Sequence, residues 1–217
     1  MISLAHVSKE YPTHSGRALV LDDVSFSVMP SQKVGILGRN GAGKSTLIRI
    51  ISGAERPSSG AITRNMSVSW PLAFGGAFQA SLTGLDNIRF ICRIYGQSPK
   101  DAEAYVQEFS ELGRYLREPV KTYSSGMRAR LAFAISMLIE FDCFLIDEIM
   151  AVGDVRFQRK CHDELFVKRA DRAMIIVSHD ESYIRSHCSE AYILHEGRII
   201  RGGNLDDTIS IYNSLMQ

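Results

Sequence analysis

Apolar and polar positions divide this chain into short buried runs and longer striped segments. The first forty residues predict β-structure: ALVLDDVSFSV, residues 18–28, alternates around a charged turn at Asp22-Asp23. KVGILG, residues 33–38, is a continuous apolar run ending in glycine, the pattern of a strand buried on both faces. CFLI (143–146) and the run in AMIIVSHD (173–180) are of the same kind, and each ends on polar chemistry: Asp147-Glu148 in one, His179 in the other. An amphipathic helix is predicted from about Lys44 to Ser52. A second is predicted over 98–116, where Ala102, Tyr105, Val106, Phe109, Leu112 and Leu116 form one stripe. Ser98 and Asp101 have capping-box spacing there, and Pro99 suits the first turn. Residues 123–133, YSSGMRARLAF, read as a polar turn opening a helix, and the C-terminal part reads as a hairpin across Glu196-Gly197 followed by a short helix. Buried strands interspersed with helices make the fold α/β.

Composition narrows the class. A chain of 217 residues holds one domain with a sizeable core. Its formal net charge of +1 gives no pull toward nucleic acid, so no nucleic-acid partner is expected. There is no apolar run of about 18 residues to span a bilayer. The start, MISLAHVSKEYP, lacks the basic region and apolar core of a secretory signal. Cys92, Cys143, Cys161 and Cys188 are spread without a CxxC, which fits reduced thiols in a cytosolic protein, and Cys161-His162 and His187-Cys188 lack zinc-site spacing.

The chemistry begins at residues 38–46, GRNGAGKST, which match G-x-x-x-x-G-K-[ST] with Gly38, Gly43, Lys44 and Ser45. Glycines let backbone amides turn inward as an anion nest. Lys44 supplies a charge for the β- and γ-phosphates, the Ser45 hydroxyl suits Mg²⁺, and the following helix presents its positive end. Asp147 and Glu148 stand at the C-terminal end of a buried strand, the edge where open α/β sheets bind ligands. Asp147 is therefore read as the Mg²⁺ partner through water, and Glu148 as the group that orients and deprotonates an attacking water. His179 ends a strand of the same type and could reach a γ-phosphate as a donor.

With the phosphate loop, YSSGM, FLIDE and VSHD in that order, nearly the whole chain resembles the nucleotide-binding subunit of an ATP-binding-cassette (ABC) transporter. Within that family it is most similar to the ATPase subunit of bacterial capsular polysaccharide exporters, through SWPLAFGGAFQASLTGLDNI (69–88), KTYSSGMRARLAF (121–133) and DEIMAVGD (147–154). The resemblance implies a P-loop NTPase core with an antiparallel β subdomain (about 1–82 and 141–217) and an inserted helical subdomain (about 83–140) in one domain. It implies that Tyr11 stacks on adenine and that Gly38, Arg39, Asn40, Gly41, Ala42, Gly43, Lys44, Ser45 and Thr46 hold the phosphates. Asp147 matches the Mg²⁺-associated aspartate, Glu148 the catalytic glutamate, His179 the switch histidine and Asp154 the aspartate of the loop crossing the dimer interface. Ser124, Ser125 and Gly126 match the signature segment usually written LSGGQ, acting on ATP held by a second copy.

YSSGM departs from that form by lacking its leucine, first glycine and glutamine; Gln79, three residues before Leu82, is the candidate for the family's Mg²⁺-sensing glutamine. The implied cofactors are ATP and Mg²⁺. The implied partners are an integral membrane permease, a second copy of the chain and a larger polysaccharide export assembly, met at the cytoplasmic face of the inner membrane. Phe74, Phe78, Phe90, Ile91 and Tyr95 fit a surface docking that permease, and equally a core. Other transported substrates, a soluble ABC ATPase, a P-loop small-molecule kinase and a non-catalytic regulator are the alternative functions.

Overall fold

A computed structural model describes every residue except 15, 73–77, 148–153 and 217. The chain forms two compact units, one of Met1–Pro71, Phe141–Glu148 and Asp171–Gln217, the other of Leu72–Glu140 and Ile149–Ala170.

The first unit is built on two sheets. Strands β1 (Ile2–Thr13), β2 (Gly16–Val28) and β4 (Ser59–Arg64) form an antiparallel sheet ordered β2-β1-β4. The second sheet contains β3 (Lys33–Leu37), β5 (Val68–Leu72), β6 (Cys143–Asp147), β7 (Ala173–Ser178), β8 (Glu190–His195) and β9 (Arg198–Ile200). Its order is β5-β6-β7-β3-β8-β9, with β6, β7, β3 and β8 parallel and β9 antiparallel. Helix α1 (Lys44–Ser52) follows β3 and buries Leu47, Ile48, Ile50 and Ile51 in a core shared with Val34, Ile36, Leu145 and Ile175 of the central strands. At about 25 cal/mol per Å² of apolar surface, each such side chain contributes roughly 1.5–3 kcal/mol. Glu196 and Gly197 sit at φ 48° and 78°, the left-handed pair a two-residue hairpin turn needs.

The Asp22-Asp23 turn does not form. β2 runs unbroken through both acids, and β1 shifts its pairing register between Leu4 and Val7. His6 and Asp23 take φ of 53° and 55° and meet side chain to side chain at 2.7 Å, while Arg198 pairs with Asp22. The charges are absorbed as an exposed bulge, which bends a strand without ending it.

The second unit is helical among its described residues: α2 (Gly84–Tyr95), α3 (Pro99–Ser110), α4 (Ser125–Ser136) and α5 (Val155–His162). The helix expected over 98–116 stops at Ser110, because Glu111 takes a left-handed conformation (φ 57°) and residues Gly113–Arg117 continue as a 3-10 turn. The stripe still faces inward: Leu112 and Leu116 are buried with Ala102, Val106 and Phe109. No capping bond forms at the Ser98 side chain, where Pro99 with its fixed φ opens the helix. The capping box lies instead at α2, where Thr83 Oγ1 accepts from the Asp86 amide (3.1 Å) and Asp86 accepts from the Thr83 amide (3.3 Å). Phe109 ties three helices together, stacking on Phe133 (5.6 Å) and meeting Phe157 edge-on (5.7 Å).

Two further helices belong to the first unit, α6 (Glu181–His187) and α7 (Leu205–Met216). No helix among the described residues is long and apolar enough to cross a membrane.

Candidate nucleotide-binding site

The site grows from the register of the central strands. Leu37 pairs with Ser178, and Asp147 pairs with Val177. The loop after β3, His179 after β7 and Asp147 at the tip of β6 therefore leave one sheet edge as neighbours, with β7 between the other two. That edge carries a cavity of about 490 Å³ lined by Val20, Asn40, Gly41, Gly43, Lys44, Ser45, Thr46 and Asp147.

Glycine is required in the loop on two grounds. Gly41 and Gly43 have φ of 85° and 104°, and a Cβ on Gly43 would stand 2.9 Å from the Val20 carbonyl oxygen. Gly38 faces the same limit, since a Cβ there would lie 2.7 Å from the Leu194 carbonyl oxygen. Gly43 also starts α1 without a side-chain cap, and the first turn of the helix carries no acid of its own. Lys44 is buried, and its Nζ donates to the carbonyls of Gly38 (2.7 Å) and Arg39 (3.0 Å). The Ala42 amide closes the loop on the Arg39 carbonyl at 3.1 Å. This ammonium, held at the loop's centre, is where phosphate charge is best met.

The donor set suits Mg²⁺. Ser45 and Asp147 place a hydroxyl and a carboxylate, both hard oxygen ligands, on the same cavity wall. Among the described residues no cluster of three or more His, Cys, Asp or Glu could hold a metal by itself. An ion here would draw its remaining ligands from phosphate and water, as Mg²⁺ does. Glu148, its chain neighbour, lies outside the described residues. His179 is exposed, its carbonyl accepts from the Tyr212 hydroxyl at 3.4 Å, and Asp180 caps α6 directly after it.

Tyr11 is not part of the cavity wall. Its hydroxyl reaches the foot of the loop, 3.4 Å from Thr46 Oγ1, and donates to Glu55 at 2.8 Å. Glu55 and Arg49 complete that contact and carried no signal in the sequence, being 44 and 38 positions from Tyr11.

The remaining candidates belong to the helical unit. Ser124 is the N-cap of α4, its hydroxyl accepting from the Met127 amide at 3.2 Å, and Ser125 and Gly126 form the first turn. Among the described residues a Cβ on Gly126 would meet only Ser124 Oγ, at 4.0 Å, so their packing does not demand glycine there. Asp154 is the N-cap of α5, one carboxylate oxygen accepting from the Phe157 amide (2.9 Å) and the other from Arg130 Nη2 of α4 (2.9 Å). The Phe157 amide bond leads in holding the Asp154 carboxyl below its usual range, with Arg130 adding to it. Arg130 was not anticipated, since its link to Asp154 spans 24 positions. Gln79 is exposed, and its backbone is clamped by Asn87, which accepts from the Gln79 amide (2.9 Å) and donates to its carbonyl (3.2 Å). Phe74 lies outside the described residues, Ile91 is buried in the core, and Phe90 and Tyr95 stay exposed.

A parallel strand, a glycine loop closing on a lysine, a helix opening from that loop and a carboxylate at the same sheet edge define a nucleoside-triphosphate-binding protein of the P-loop class. The chain belongs to the ABC transporter family: the family model described as ABC transporter matches residues 21–151. It is 59% identical to the capsule polysaccharide export ATP-binding protein CtrD of Neisseria meningitidis serogroup B, over 99% of this chain and 100% of that protein. It is 56% identical to the ATP-binding protein BexA of Haemophilus influenzae, over 98% of each. Identity to a polysialic acid transport ATP-binding protein KpsT of Escherichia coli is 43%, over 98% of each. Among solved structures, the ATP-binding cassette MJ0796, a dimer bound to ADP and Pi in a post-hydrolysis state, shares the fold with a TM-score of 0.80 at 19% identity, over 94% of this chain and 99% of that one.

Proposed function

We propose that this chain is the ATP-hydrolysing subunit of a bacterial exporter of capsular or related cell-surface polysaccharide. It would drive a separate membrane permease from the cytoplasmic face of the inner membrane. The observation that carries this reading is full-length similarity to a capsule polysaccharide export and a polysialic acid transport ATP-binding protein, in a chain whose phosphate loop and Asp147 line one cavity.

Residues 1–217 act as one nucleotide-binding domain. Adenine stacks on Tyr11, and the loop from Gly38 to Thr46 wraps the phosphates. Ser45 and Asp147 would hold Mg²⁺, with Gln79 as a further contact, and the ion would supply neutralisation of phosphate charge. Glu148 orients a water and takes its proton as the water oxygen bonds to the γ-phosphorus. The bond from that phosphorus to the ADP oxygen breaks, and Lys44 and His179 stabilise the charge that develops. Ser124, Ser125 and Gly126 of a second copy close over the γ-phosphate, and Asp154 crosses the same interface. The surroundings of Gly126 support this: among the described residues a Cβ there meets nothing nearer than Ser124 Oγ at 4.0 Å, which leaves room for a ligand from outside the chain.

Docking of the permease falls on α2. Phe90 and Ile94, one turn apart, are 53% and 57% exposed, with Tyr95 after Ile94 and Leu82 ahead of the helix also exposed. An exposed apolar stripe of this kind fits a short amphipathic segment of a membrane partner.

Two measurements on the full chain test the reading. ATP labelled in the γ-phosphate should yield labelled inorganic phosphate; transfer of label to an organic acceptor would mean a kinase. Affinity capture from native membranes should recover an integral membrane permease. Capture of an importer permease with a periplasmic substrate-binding partner would overturn export.

A further inference from the structure

Around Tyr11 a polar cluster joins two parts of the chain that lie far apart in sequence, Lys9–Tyr11 and Thr46–Glu55. After α1 the chain turns at Gly53 (φ 83°), and the Glu55 amide donates back to the Arg49 carbonyl at 3.1 Å. This brings the Glu55 carboxylate under β1, where it accepts from Lys9 Nζ (2.8 Å), the Tyr11 hydroxyl (2.8 Å) and Arg49 Nε (3.0 Å). Arg49 Nη2 in turn donates to the Tyr11 oxygen and to Thr46 Oγ1, both at 3.1 Å. Lys9 also stands 5.1 Å from the centre of the Tyr11 ring. The side chains of Glu55 and Lys9 are only 20% and 14% exposed, which limits solvent screening.

Every oxygen in this set has a defined task. The phenol donates to Glu55 and accepts from Arg49, so its ring cannot rotate away without breaking two bonds, one of them to a charged acceptor and the other from a charged donor. Thr46, a residue of the phosphate loop, is anchored by the same guanidinium. The geometry points to Glu55 as a positioning residue for nucleotide binding: through Tyr11 and Arg49 it fixes the base platform at a set distance from the phosphate loop. This rests on the reading of Tyr11 as the adenine platform. Preorganisation of this sort adds affinity because the ring is already ordered before the base arrives.

The test separates base from phosphate by using two probes on the full chain, MgATP and Mg-tripolyphosphate. The ring's packing stays in place in either variant, so the expected loss of positioning is that of an ordinary hydrogen bond, roughly 2- to 12-fold in Kd. Glu55→Gln and Tyr11→Phe should each weaken ATP by that factor and leave tripolyphosphate within about twofold. The double variant should be no weaker than the weaker single variant, since both remove one arrangement. Unchanged ATP affinity in Glu55→Gln, with Tyr11→Ala weakened, would refute the positioning role alone. Equal losses for ATP and tripolyphosphate in Glu55→Gln would refute it too, by assigning the effect to the loop. If Tyr11→Ala binds ATP like the parent chain, the platform reading itself fails and the positioning role with it.

Discussion

Gly126→Ala separates what this chain needs for its own fold from what Gly126 is proposed to offer to another copy. Gly126 is the second residue of α4, after Ser125 and the cap Ser124. Among the described residues a methyl group there has only Ser124 Oγ within reach, at 4.0 Å, an ordinary contact distance. Alanine in a helix is favoured over glycine by about 0.5–1 kcal/mol, largely through the entropy of the unfolded chain. The variant should therefore unfold in urea at an equal or higher midpoint, by up to about 1 kcal/mol. Nucleotide affinity of the monomer should be unchanged, because the proposed place of its own ATP's phosphates is the Gly38–Thr46 loop. Turnover should fall. Loss of one charge-assisted bond to phosphate is worth about 1.5–3 kcal/mol, or roughly 10- to 150-fold in rate. Steady-state phosphate release at saturating ATP measures it. Full turnover in a protein at least as stable as the parent would show that the glycine merely opens a helix.

Lys44→Ala should weaken ATP by roughly 10- to 150-fold, the value of a hydrogen bond to a charged group, as read by titration calorimetry. Arg169→Met should destabilise the fold by about 3–5 kcal/mol in urea unfolding, toward the lower end. Arg169 and Glu164 are both buried and paired at 2.8 Å, and the loss leaves the buried Glu164 carboxylate its ion pair with Lys168, at 2.7 Å. Burial pushes the Glu55 carboxyl up, but hydrogen bonds from Lys9, Tyr11 and Arg49 together outweigh it and hold it at about 2, below its ordinary 4.5. A depressed carboxyl stabilises the fold above its unfolded value, so this contribution is present above about pH 4.5 and is lost as pH falls toward 2. Acid unfolding followed by circular dichroism should show a shallower fall over that window in Glu55→Gln.

What could be read from the sequence was local. The phosphate loop, α1 and β6 are continuous patterns whose spacing is set by neighbours in the chain, and the Glu196-Gly197 turn is written in two residues. Asp22-Asp23 misled because a charged pair marks a turn and a bulge alike, and only the partner strand β1 decides between them. The stripe from Ala102 to Leu116 kept its inward face but not its helix, since a turn at Glu111 and Gly113 continues the same burial in a different backbone. Glu55, Arg49 and Arg130 were invisible for a different reason. Each looks like a solvated charge, and its task exists only once α1 packs beneath β1, or α4 beside α5.

The central claim, that two copies close on ATP before hydrolysis, is tested most directly by Glu148→Gln in sedimentation velocity with and without MgATP. The full-length variant should sediment as a monomer alone and as a dimer with ATP, with phosphate release nearly abolished. A monomer that binds ATP yet never dimerises, or a variant that hydrolyses at the parent rate, would contradict the account.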